Sequence, residues 1–183
     1  MILLRSKILE EMDEGNIIIS PFISKNLGVN SYDVTLHPDL LVYTESVLDM
    51  DECNPTEKIT IPETGFVLVP GVLYIGATNE TATSKKYVPM FDGRSSTGRL
   101  GIALHQTAGI GDVGFGFDKE GNPTLATWTM ELSVIKPVRV YPYRRVGQVF
   151  FIAGDHTPEL NELYSGKYNT QRAPQASLSW KDR

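Results

Sequence analysis

The chain has 183 residues, 41% hydrophobic and 21% charged, with a formal net charge of -5. That length and balance describe one globular domain with a real core, and the acidic excess excludes a broad nucleic-acid binder, which leaves a basic footprint. No apolar run approaches the ~20 residues of a bilayer crossing and the N-terminus has no secretory apolar segment; the single cysteine, Cys53, forms no internal disulfide, so a cytoplasmic setting without a membrane partner is expected.

In chain order, residues 5–14 carry helical spacing, with Ile8, Leu9 and Met12 set among acidic residues, Ser6 as N-cap and Gly15 as stop. Ile17-Ile18-Ile19 reads as a short strand ended by Ser20-Pro21. Further strands are expected at 32–36, 40–43, 59–61, 66–69, 73–78, 86–91, 101–105, 124–134, 138–140 and 146–152. Eleven prolines and frequent glycines punctuate them, which disfavours long helices and predicts a mainly β domain, a barrel, sandwich or jelly roll with a short N-terminal helix. Phe115–Pro123 reads as a long hairpin tip turning at Gly121-Asn122-Pro123. From Asp155 to Arg183 the composition becomes polar, fitting either a frayed terminus or a flap that orders over a ligand.

The histidines, His37, His105 and His156, stand outside any H-x-E pattern, and no cysteine pair exists. A zinc nucleobase deaminase and a structural zinc site are thereby excluded. Hydrolysis here must use carboxylates, with magnesium held mainly by substrate phosphates.

One stretch concentrates chemistry. Gly93-Arg94-Ser95-Ser96-Thr97-Gly98-Arg99-Leu100-Gly101 combines arginines, hydroxyls and glycines, which suits a polyphosphate cradle as well as a plain polar turn before a buried strand. Residues 125–134 alternate, with Trp128, Met130, Leu132 and Val134 on one face and Thr127, Thr129, Glu131 and Ser133 on the other. Glu131 is then either solvated or, if that face lines a cleft, a desolvated carboxylate suited to general-base work. Asp112, between glycines in Gly109-Ile110-Gly111-Asp112-Val113-Gly114, is either a turn aspartate or a second working carboxylate.

Taken together, Gly93-Arg94-Ser95-Ser96-x-x-Arg99-Leu100-Gly101, His105-x-Thr107-Ala108-Gly109-x-x-Asp112-x-Gly114-Phe115 and Glu131-Leu132 resemble the dCTP deaminase family of the trimeric dUTPase superfamily. Asn30–Leu36, Arg145-Val146-Gly147-Gln148 and Lys167-Tyr168-x-x-Gln171 extend the resemblance over nearly the whole chain, 1–183, as one domain whose residues 155–183 form a flap over the nucleotide. The resemblance implies a distorted β-barrel or jelly roll assembled as a homotrimer with inter-subunit sites, and zinc-independent deamination of dCTP with magnesium on the nucleotide. It implies Glu131 as the base, Arg99 paired with it, and Ser95 placing water or pyrimidine. Arg94, Ser95 and Ser96 would contact the triphosphate, Thr107, Ala108, Gly109 and Asp112 the base and sugar, and Lys167 and Gln171 would close from the tail. His105–Gly109 and Phe115 look like the bifunctional members, which also cleave between the α- and β-phosphates and give dUMP, with Asp112 aiding that step. Tyr164 is the nearest candidate for a tail tyrosine contact. A dUTPase or other deoxynucleotide pyrophosphatase, and a non-catalytic nucleotide-sensing or protein-binding barrel, remain alternatives.

Overall fold

The computed structural model describes residues 1–104 and 108–182. Helix α1, Arg5–Asp13, precedes β1, Ile17–Ser20. Then follow β2 (Tyr32–Thr35), β3 (Asp39–Tyr43), β4 (Thr56–Thr60), β5 (Phe66–Leu68), β6 (Tyr74–Ala77), β7 (Thr81–Ser84) and β8 (Tyr87–Gly93). Helix α2, Ser95–Arg99, leads into β9 (Ile102–Ala103), and β10 (Thr129–Val134), β11 (Val138–Val140) and β12 (Arg145–Ala153) complete the strands. The expected mainly β class holds. Among the described residues no helix is long and apolar enough to cross a membrane.

The strands pair antiparallel in four sheets: β1 with β7, β11 with β5, the trio β2-β12-β8, and a five-stranded sheet ordered β4-β3-β6-β10-β9. Strand β10 sits between β6 and β9, with Glu131 opposite Ile75 and Val134 opposite Ile102. Its alternate residues Met130, Leu132 and Val134 enter a core shared with Tyr32, Leu36, Leu40, Phe91 and Phe151, which leaves Thr129, Glu131 and Ser133 on the other face. Sinking Met130 and Leu132 to 0% and 2% exposure fixes the register, because a one-residue slip would turn both outward and Glu131 inward.

Helix α1 ends as the sequence predicts. Gly15 takes φ +70° and donates to Met12 O, while Asn16 N–H donates to Glu11 O at 2.9 Å, closing the helix with a left-handed glycine. It starts differently. Leu4, not Ser6, is the N-cap and makes no side-chain bond; the Arg5 N–H donates instead to the Val29 carbonyl at 2.7 Å. Glu11, fully buried on the inner face, accepts from Asn16 Nδ2, Tyr87 OH, Lys86 Nζ and Lys7 Nζ at 2.7–3.0 Å and so ties α1 to the start of β8.

Three differences from the sequence reading have local causes. Strand β7 was not expected, since Thr-Ala-Thr-Ser lacks large apolar side chains, yet all four residues are buried against β1. The segment read as a strand from Thr124 joins the sheet only at Thr129: Leu125 has φ +58°, and the Thr127 N–H donates to the Gln171 carbonyl of the tail at 2.9 Å. The turn of the 115–123 hairpin lies earlier, over Asp118–Gly121, because the Asp118 carboxylate accepts from the N–H groups of Glu120 and Asn122 while Phe117 bridges Pro123.

Candidate active site

The β10 face bearing Glu131 opens into a cavity of about 490 Å³, within the size range of a nucleotide-sized ligand site. Glu131 and Thr129 form part of its floor, Ile75 and Tyr43 continue it across the sheet, and Phe115 and Trp128 stand on its wall. The wall is aromatic for a reason visible in the core. Trp128 donates Nε1–H to Ala82 O at 2.9 Å, and its ring lies 6.1 Å from Phe91 and 5.0 Å from Phe115. Phe115 in turn meets Tyr164, 5.9 Å away, so a chain of rings runs from the core to the tail. Burial pushes the Tyr164 hydroxyl up, keeping it neutral over the working pH range.

The loop that follows residue 107 rides on β8. Phe91 N–H donates to Gly109 O at 2.7 Å and Gly111 N–H to Pro89 O at 2.8 Å, so residues 109–111 lie against the β8 backbone. At Gly111 a Cβ would stand 2.1 Å from Trp128 Cη2, so the loop reaches this depth because it carries no side chain there. Beyond it, Gly114 turns at φ +89°, and its N–H donates to Ser84 O at 2.8 Å. Asp112 is thereby held at the cavity wall while remaining exposed.

The tail is packed along the same opening. Gln171 Nε2 donates to Thr127 O at 2.8 Å, Leu178 N–H to Tyr168 OH at 2.9 Å, and Ser177 N–H to Tyr43 OH at 2.9 Å. Ser179 Oγ donates to Met50 O at 2.7 Å. Tyr164, Tyr168, Gln171, Gln175 and Ser177 therefore face the cavity from its outer side.

Of the residues singled out from sequence, Glu131, Asp112, Ala108 and Gln171 line this one cavity. Gly109 lies beside it, on the Phe91 carbonyl side, and Thr107 falls outside the described residues. Ser95, Ser96 and Arg99 are exposed on α2, which packs on β9 away from the cavity wall. Arg94, at the N-cap of α2, pairs through Nε with Asp33 at 3.0 Å, and Arg145 takes the other oxygen of the same carboxylate at 3.2 Å. Lys167 pairs with Asp182 at 2.6 Å and does not line the cavity. The sequence reading missed Tyr43, Leu48, Thr129 and Tyr168 as cavity residues. Thr129 carried a signal through its shared face with Glu131 and Tyr168 through its place in the Lys167-Tyr168-x-x-Gln171 motif; Tyr43, at the end of β3, and Leu48, in the loop after it, arrive by tertiary packing.

Comparison with known proteins places this geometry among relatives. A family model described as dCTP deaminase-like matches residues 2–154. A Clostridium beijerinckii protein named "dCTP deaminase, dUMP-forming" is 45% identical over 185 residues, covering 100% of this chain and 98% of its own. A protein of the same name from Leptospira biflexa is also 45% identical over 185 residues, with the same coverage. The crystal structure of 2'-deoxycytidine 5'-triphosphate deaminase from Agrobacterium tumefaciens superposes with a TM-score of 0.61 at 18% identity, a likeness of fold. It covers 84% of this chain, which spans 48% of that one.

Proposed function

The chain belongs to the dCTP deaminase family, and from that premise we propose that it deaminates dCTP and then hydrolyses the product to dUMP and pyrophosphate. The observation that carries this reading is the position of Glu131. Its carboxylate rises from a strand paired on both sides into a cavity walled by Trp128 and Phe115, where a planar ring can stack. The full-length relatives named as dUMP-forming support the coupled outcome.

Glu131 takes a proton from a water whose oxygen bonds to C4 of the cytosine. The same carboxylate delivers that proton to N4, the C4–N4 bond breaks and ammonia leaves, and the remaining hydroxyl proton passes to N3, giving the C4 carbonyl and N3–H of uracil. A strand-borne carboxylate suits this two-way transfer, because its position relative to the ring wall is fixed before substrate arrives. In the second step a water adds to the α-phosphorus as pyrophosphate departs, with Asp112 at the cavity wall as the helping carboxylate. Gln171, Tyr164 and Tyr168 then act as the cover that the tail provides.

Ser95, Ser96 and Arg99 complete the site in a homotrimer of the distorted-barrel type, in which α2 of a neighbouring copy faces this cavity. There Arg99 would hold Glu131 ionised, Ser95 would place the water or pyrimidine, and Arg94 and Ser96 would meet the triphosphate. Two features support an association edge at α2: Leu100 and Ile135 are 61% and 79% exposed beside it. Lys167 joins the phosphates by exchanging Asp182 for the substrate. Magnesium, which would supply charge neutralisation on the phosphates, would come with the triphosphate. A cytoplasmic setting fits the exposed thiol of Cys53.

The test is incubation of the protein with dCTP and magnesium, following ammonia, dUTP, dUMP and pyrophosphate together. Stoichiometric ammonia and pyrophosphate are expected. Pyrophosphate from dUTP without ammonia from dCTP would make it a pyrophosphatase, and binding without turnover a non-catalytic sensor.

A further inference from the structure

One cavity group has no part in the steps above. Thr129 stands two residues before Glu131 on β10, so the two side chains leave the strand on the same face, about 7 Å apart along it. Its Oγ1 is shielded from solvent and has no hydrogen-bond partner among the described residues, although the residue lines the cavity. Folded proteins rarely keep a shielded hydroxyl unbonded without a use for it. Thr83 Oγ1, Thr127 Oγ1 and Trp180 Nε1 also lack partners, but none of these residues lines the cavity. Gln171 Oε1 does, with its Nε2 already given to Thr127 O at 2.8 Å, so its free oxygen can only accept.

Resting on the reading of Glu131 as the base at C4, we propose that the Thr129 hydroxyl bonds the N3 edge of the pyrimidine and allows one cavity to hold both substrate and intermediate. In this assignment C4 lies over Glu131 with the polar N3–C2 edge, rather than the C5 edge, turned toward the Thr129 hydroxyl, since only that edge offers hydrogen-bonding atoms. In cytosine N3 is an acceptor. Once N4 has left and C4 carries oxygen, N3 bears a hydrogen and becomes a donor. A backbone N–H could serve only the first state and a carbonyl only the second. A hydroxyl serves both, because it has one donor and two acceptor positions and rotates about Cβ–Oγ. The ring therefore keeps its partner when its polarity reverses, and dUTP stays in place for the phosphate step. Valine at 129 would keep the β-branched shape that suits the strand and lose this function.

The experiment compares the wild type with Thr129→Val and Thr129→Ser, measuring KM for dCTP and dUTP and the free dUTP released per dUMP formed. Loss of the hydroxyl should raise both KM values about tenfold, the size of one neutral hydrogen bond, and dUTP should accumulate in solution. Thr129→Ser should restore both. As a check independent of folding in the variant, 3-deaza-dCTP, which has a C–H at position 3, should inhibit the wild type about tenfold more weakly than the dCTP KM predicts; Thr129→Val should show no such discrimination. Unchanged KM values and dUTP release in Thr129→Val, or equal discrimination by both proteins, would overturn the assignment. A wild type that yields no ammonia from dCTP would instead remove the reading of Glu131, so the two failures are distinct.

Discussion

Gly111→Ala tests whether the 109–112 loop is set by its contact with Trp128. A Cβ there would lie 2.1 Å from Trp128 Cη2, 2.9 Å from Cζ3 and 3.2 Å from Pro89 Cγ. Ordinary contact begins at 3.4 Å, so 3.4 − 2.1 = 1.3 Å must be found. Trp128 cannot supply it readily, being held by its bond to Ala82 O and stacked near Phe91 and Phe115. The backbone at 111 is not left-handed, so the cost is purely steric. Adding a methyl gains about 0.4–1 kcal/mol by restricting the unfolded chain, whereas overpacking costs about 1–3 kcal/mol. The second effect wins, for a net loss of about 1–2 kcal/mol, or about 2–8 °C in Tm for a chain of this size. Moving the loop also displaces Ile110 and Asp112 at the cavity wall, and a shift of about 1 Å near a reacting centre can cost about a hundredfold in rate. Thermal unfolding and a pyrophosphate assay on the same preparation read both consequences. A variant with wild-type Tm and wild-type kinetics would refute the steric argument.

Asp112→Asn should slow pyrophosphate formation by at least about a hundredfold, the ordinary share of a general acid or base, while ammonia release falls far less; parallel assays of the two products decide it. Burial raises the Glu11 carboxyl, but hydrogen bonds from Lys7, Tyr87, Lys86 and Asn16 outweigh it and bring the group down to about 2. A carboxylate lowered in the folded state stabilises above its ordinary value and loses that contribution as pH falls, so denaturant midpoints should drop between pH 4.5 and about 2. Glu11→Gln should remove that step and destabilise at neutral pH by about 1–3 kcal/mol, the cost of weakening charge-assisted hydrogen bonds at a buried acceptor whose partners Lys7 and Lys86 stay partly exposed.

What the sequence made legible was local and periodic. Gly15 marked the end of α1 because a left-handed stop is nearly reserved for glycine, and the strict alternation from Trp128 to Val134 placed Glu131 opposite the core before any pairing was known. β7 was hidden because Thr81 and Thr83 owe their burial to β1 and the Trp128 side chain's surroundings rather than to their own hydrophobicity. The start of β10 was misjudged for a related reason. The Thr124 hydroxyl donates to Asn169 O, the Thr124 carbonyl accepts from Arg172 and the Thr127 N–H donates to Gln171 O, all more than forty positions away, and no local pattern announces such partners. Composition alone left the polar tail open between a frayed terminus and a flap, and Tyr164 and Tyr168 anchor it by packing against the core. Within the site, Glu131, Asp112 and Gln171 line one cavity, while the short helix carrying Ser95, Ser96 and Arg99 faces away from the cavity of its own chain.

The most direct measurement is ammonia release from dCTP by Glu131→Gln, with nucleotide binding followed in the same samples. Glutamine keeps the size and hydrogen-bonding reach of the side chain but cannot carry the proton from water to N4. The account predicts that ammonia falls to background while dCTP still binds; a variant that continues to deaminate would contradict it.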